Sequence, residues 1–139
     1  MTISQIIDIV DTVRRHKGNI IVRMDLGYET KHRTKDIGWI GHAYFGRGDG
    51  STVSRLVIFS SDQSQPMTCE AFTIHLQNWQ ALVGDLRVKL DIGFWCNGLC
   101  YDIEGANIGT FTLEGIEALV FFPDGMKQKI IIPRNISAN

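Results

Sequence analysis

The residues best suited to chemistry lie between positions 91 and 104. Asp91, Asp102 and Glu104 supply three carboxylates, Trp95 a large aromatic surface, and Cys96 and Cys100 two thiols. Leu86, Val88, Leu90, Ile92 and Phe94 alternate with Asp85, Arg87, Lys89 and Asp91, the pattern of a half-buried strand. Asn97-Gly98 offers the two left-handed residues of a tight hairpin turn. In that register Ile92 faces Ile103, Phe94 faces Tyr101, Cys96 faces Leu99, and Asp91 lies opposite Glu104. Directly opposed carboxylates repel. The acidic face is therefore expected to be a cation site, a paired acid and base, or a solvated surface relieved by Arg87 and Lys89. The two thiols fall on opposite faces, which does not suit one shared ion, and no Cys-x-x-Cys or His-x-His spacing accompanies them.

A second set is Trp39, His42 and Tyr44 in an aromatic, glycine-bearing segment, with Arg55 on the strand that follows. Such residues are fit to line a pocket for a planar ligand by stacking and hydrogen bonding. A third is the basic run containing Lys31, Arg33 and Lys35, which could hold a phosphate or a nucleic-acid backbone. Aromatic side chains are not interleaved within it, as single-strand binding requires. The loop Gly46-Arg47-Gly48-Asp49-Gly50-Ser51 lacks the lysine of a phosphate-binding loop and reads as a plain turn. His16, His32, His42 and His75 are scattered, with no nucleophile at catalytic spacing. No catalytic residue, metal or cofactor is assigned.

The elements that must position these residues begin with a helix over residues 2–17. Thr2 and Gln5 form a capping box, Ile3, Ile6, Ile7, Val10 and Val13 make one apolar stripe, and Gly18 can close the helix. Ile20, Val22, Met24, Leu26 and Tyr28 then alternate as a strand. Residues 37–45 form another, in which Gly38 and Gly41 point to a bulge or a close backbone approach. Residues 53–59 make a third. Residues 68–83 fit either period, and the β-branched Thr73 and Ile74 favour a strand to about Leu76 followed by a short helical turn capped by Asn78. A closing hairpin is expected between residues 116–122 and 126–132, turning at Pro123-Asp124-Gly125.

At 139 residues with 44% hydrophobic and 21% charged side chains, the chain suits one domain, 1–139. No apolar run approaches membrane length, and three cysteines fit reduced thiols better than a disulfide framework, so a cytoplasmic protein is expected. The formal net charge is −1, which argues against a dedicated nucleic-acid binder. It hides an asymmetry: residues 1–60 hold nine Lys/Arg against six Asp/Glu, and residues 61–120 hold two against eight.

Together these features predict an α+β fold, with an N-terminal amphipathic helix packed on a curved, mostly antiparallel β-sheet, as an open barrel or a small sandwich. The expected function is non-catalytic: binding and sequestering a macromolecular partner, expected to be a protein, in the manner of an immunity-type or anti-defence-type inhibitor. Asp91, Asp102 and Glu104 would form the acidic rim and Trp95 the anchor. The alternative is a small-molecule or nucleotide binder, or a small enzyme, using Trp39, His42, Tyr44 and Arg55. Anion binding through Lys31, Arg33 and Lys35 is the third reading.

Overall fold

The computed structural model describes residues 1–26, 34–61, 65–92, 100–110 and 115–124, and the backbone of 134–136. Helix α1 (Ile3–Lys17) starts at the capping box read from the sequence: Thr2 N–H donates to Gln5 Oε1 at 2.8 Å, and Gln5 N–H donates back to Thr2 Oγ1 at 3.4 Å. Its buried stripe is Ile3, Ile6, Ile9, Val10 and Val13. Gly18, at φ +84°, ends it in a conformation other side chains rarely adopt. Strands β1 (Ile21–Asp25), β2 (Thr34–Gly46), β3 (Thr52–Ser61) and the short β4 (Met67–Thr68) follow.

The next element corrects the expected strand. Residues 69–83 form one helix, α2 (Cys69–Val83). Its cap is Thr68, whose hydroxyl accepts from Ala71 N–H, and Asn19 from outside the helix accepts from Glu70 N–H at 2.8 Å. The helical period wins because it buries Cys69, Phe72, Thr73 and Leu76 on one side, while Ile74, which the strand reading needed inside, is 49% exposed.

Strands β5 (Val88–Asp91), β6 (Cys100–Thr110), β7 (Glu117–Pro123) and β8 (Arg134–Ile136) complete the sheet. The order is β2-β3-β5-β6-β7-β1-β4, with β8 beside β6, and an additional β2–β1 pairing closes the path into a ring. The fold is α+β and its sheet is curved and mostly antiparallel. Two pairings are parallel, β1 with β7 and β3 with β5. The second needs a crossover, which α2 supplies. At the closure, the Arg23 guanidinium joins β1 to β2, donating to Asp36 at 2.7 Å and to Thr34 O at 2.9 Å.

The strand faces divide cleanly. Val22, Met24, Leu56, Ile58, Val88, Leu90, Leu119 and Phe121 point to the helices and share one core with α1 and α2. Their alternates point to the opposite face. The expected hairpin of residues 85–104 pairs β5 with β6 antiparallel, but in another register: Leu90 meets Tyr101 and Asp91 meets Cys100. That register is not the one a two-residue turn at Asn97-Gly98 would give, and Asn97-Gly98 lies outside the described residues. So does the expected strand at 126–132. β8 pairs with β6.

Candidate functional site

The register displacement redistributes the acidic set. Asp91 is 1% exposed and does not face Glu104, so it cannot be a rim residue. Asp102 sits opposite Lys89, whose ammonium lies 3.6 Å from its carboxylate. Glu104 is exposed in the irregular part of β6. Trp95, like Cys96, lies outside the described residues. Of the basic run, Lys35 is placed on β2 beside Met24, and Lys31 and Arg33 lie outside the described residues.

The aromatic set is better assembled. The sheet pleat sends Trp39, Gly41, Ala43 and Phe45 of β2 to the face away from the helices, beside Phe59, Val57, Arg55 and Val53 of β3. The bulge between Ile37 and Trp39, at the predicted Gly38, sets this phase. The Trp39 and Phe59 rings stack with centroids 3.8 Å apart and planes 12° from parallel. Gly41 makes the arrangement possible: a Cβ there would stand 2.8 Å from the indole. The close approach expected at this glycine is therefore made by a side chain.

This stacked pair bounds a cleft of about 250 Å³, walled by Gly41, Ala43 and Phe45 of β2, Val57 of β3 and Cys100 of β6. Lys89 stands at its edge, with Nζ 5.4 Å from the Phe45 ring centroid. Arg55, opposite Ala43, flanks it: its Nη1 donates to Ser54 O at 2.8 Å, while its Nε is buried and has no acceptor among the described residues. Arg87, next to Arg55 by the β3–β5 register, is exposed and makes no ion pair among the described residues. The cleft is an apolar, aromatic floor with cationic flanks.

His42 and Tyr44 also border the cleft, but their side chains leave on the helix side of β2. The His42 ring lies 4.9 Å from Tyr44 and 6.3 Å from Trp79 of α2, and its Nε2 is buried with no hydrogen-bond partner among the described residues. The four residues expected to form one pocket thus divide between two faces. Cys100 and Phe59 were missed: Phe59 read as an ordinary strand residue, and Cys100 reaches the cleft only through the displaced register.

Other candidates resolve into structure. The Asp49 carboxylate accepts from the Ser51 N–H and hydroxyl, which holds it below the usual carboxylate range and fills the loop that a phosphate would need. Cys69 is a buried thiol pushed up to about 11 by burial. Among the described residues no group of His, Cys, Asp or Glu side chains could hold a metal ion, and no helix is long and apolar enough to cross a membrane. No family model, curated protein or solved structure matches the chain.

Proposed function

We propose that the chain is a non-catalytic binding protein that holds a partner protein by taking one apolar or aromatic side chain of it into the cleft beside Trp39. The observation that carries this reading is the stacked Trp39–Phe59 floor, with Trp39 still 49% exposed. A large aromatic side chain locked by stacking yet open to solvent has lost little of its contact area and little further entropy on binding, the properties of an interface anchor. The cleft's size suits one side chain better than a whole cofactor, because pockets for drug-sized ligands run from about 300 to 1,000 Å³. Arg55 and Arg87 favour acidic residues around the inserted group. This moves the contact surface from the expected acidic face to the aromatic one. A reducing, cytoplasmic location belongs to the same reading, supported by the buried Cys69 thiol.

The test is differential capture. Wild-type chain, Trp39→Ala and Ala43→Trp, which fills the cleft, are immobilised after circular dichroism has shown each to be folded. A protein retained by the wild type and lost from both variants is expected. Equal retention by all three ends the proposal.

The combination of a stacked aromatic floor and the Arg55 guanidinium also favours a second reading, a small planar anion as ligand. Trp39 emission titrated with aromatic carboxylates and nucleotides discriminates: saturable quenching abolished by Ala43→Trp supports it, and an unchanged spectrum dismisses it.

A further inference from the structure

Strand β2 is paired on both sides only at its start. Thr34, Lys35 and Asp36 face β1, but from residue 38 to residue 46 its neighbour among the described residues is β3 alone. The direction of the remaining backbone groups follows from one hydrogen bond. Leu56 N–H donates to the O of Arg87, the residue just before β5, so Leu56 turns its backbone away from β2. In an antiparallel ladder its partner His42 must then also turn its N–H and C=O outward. The same holds for every second residue: Ile40, His42 and Tyr44 present donors and acceptors to the open edge, while Gly41 and Ala43 bond to β3.

Open edges are ordinarily guarded by lysine, other charges or proline. Residues 38–46, Gly-Trp-Ile-Gly-His-Ala-Tyr-Phe-Gly, contain no Lys, Arg, Asp, Glu or Pro. Trp39 and Tyr44, exposed by 49% and 68%, stand on its two faces. Helix α2 packs chiefly on α1, β1 and β4 and reaches this strand through Trp79, whose ring lies 6.3 Å from that of His42 on the helix-side face, while the outer backbone edge of residues 38–46 pairs with no strand among the described residues.

We infer that the edge pairs with the same edge of a second copy of this chain, antiparallel and about a two-fold axis through His42. His42 is the midpoint of the open stretch. With His42 opposite its counterpart, Ile40 meets Tyr44 of the second copy, Trp39 meets Phe45, Gly41 meets Ala43, and the two glycine ends coincide. Each large side chain opposes a large one on the same face, and no Lys, Arg, Asp or Glu is opposed. Ile40, His42 and Tyr44 become hydrogen-bonded pairs, giving about six new backbone hydrogen bonds, and Trp39–Phe45 becomes a close, non-bonded pair. A two-fold contact of this kind is closed and does not propagate. It also places Phe45 of the second copy beside Trp39, so that each cleft gains a wall from the other chain. The pairing does not depend on what occupies the cleft.

The test combines mass and amide exchange on the full chain. Sedimentation across a concentration series is expected to give two chains for the wild type and for Tyr44→Phe, and one chain for Tyr44→Pro. That proline removes an N–H directed at the open edge and leaves the β2–β3 ladder complete. Amide exchange on the wild type should show Ile40, His42 and Tyr44 protected only at dimer-forming concentrations, and Gly41 and Ala43 protected throughout. A wild type that stays a single chain, a dimer that survives Tyr44→Pro, or protection without this alternation overturns the inference. If Tyr44→Pro does not fold, the exchange pattern of the wild type decides.

Discussion

The β5–β6 pair and the β2–β3 pair carry comparable alternation, and they are used in opposite ways. β5 and β6 lie within the ring, each with a strand on either side, and their charged residues are consumed there: Asp91 is buried and Asp102 is matched to Lys89. β2 runs past β1 and β3 past β5, and the β2 overhang, residues 38–46, is uncharged, aromatic and unpaired on one side among the described residues. An isolated sequence shows charge and alternation, but not which strands extend beyond the sheet. A carboxylate in the middle of a ring is a structural group, whereas an uncharged aromatic segment at an overhanging edge is the surface at which the proposed pairing is placed.

Reversing charge should expose this difference most sharply. Asp91→Lys puts an ammonium into a buried site and should cost about 3 kcal/mol or more in stability, whereas Glu104→Lys on the exposed part of β6 should cost under about 0.5 kcal/mol. Chemical denaturation measures both. Similar small losses at both positions would erase the distinction between the buried and the exposed acid.

On the other side of the comparison, Trp39→Ala should lose about 1 kcal/mol, the worth of a stacked aromatic pair, because the indole is half exposed and anchors no core. Its effect should lie almost entirely in binding. A loss of stability as large as that for Asp91→Lys would show that Trp39 is a core residue, and the two regions would no longer differ in kind.

Local chemistry carried the legible part of the fold. The Thr2–Gln5 box, Gly18, the bulge at Gly38 and the turn at 46–51 all stand where their side-chain types place them, since each is decided within a few residues. Helix α2 was not legible because Phe72 and Leu76 satisfy both periods while Ile74 fits the strand alone, and the deciding contacts, Asn19 on Glu70 and α1 against α2, come from far away in the chain. The register of β5–β6 was not legible either. A tight-turn dipeptide fixes pairing only when the hairpin closes on it, and here the neighbours β3 and β7 constrain both strands. The site was half visible for the same reason. Trp39 and Arg55 share a face because the bulge sets their phase, while His42 and Tyr44, grouped with them by proximity, fall on the other side.

A small effect is expected at the fourth acid of the 85–104 stretch, Asp85. Its carboxylate accepts from Ser4 N–H at 2.7 Å and from the Ser4 hydroxyl at 2.6 Å, capping the start of α1 from another element. These bonds, the hydroxyl's first, hold its pKa below the ordinary 3.8. A depressed carboxylate pKa means that the contribution is present above the unfolded value and is lost as pH falls through the carboxylate range. Asp85 is largely exposed, so solvent limits the effect to under about 1 kcal/mol, the usual worth of a helix N-terminal carboxylate. Asp85→Ala should therefore be slightly less stable than the wild type at pH 7, and the two should converge as the pH drops below 4. A gap that persists in acid would mean that Asp85 acts through packing, and a gap of zero at pH 7 would leave one acid of this stretch unexplained by the fold and available to a partner after all.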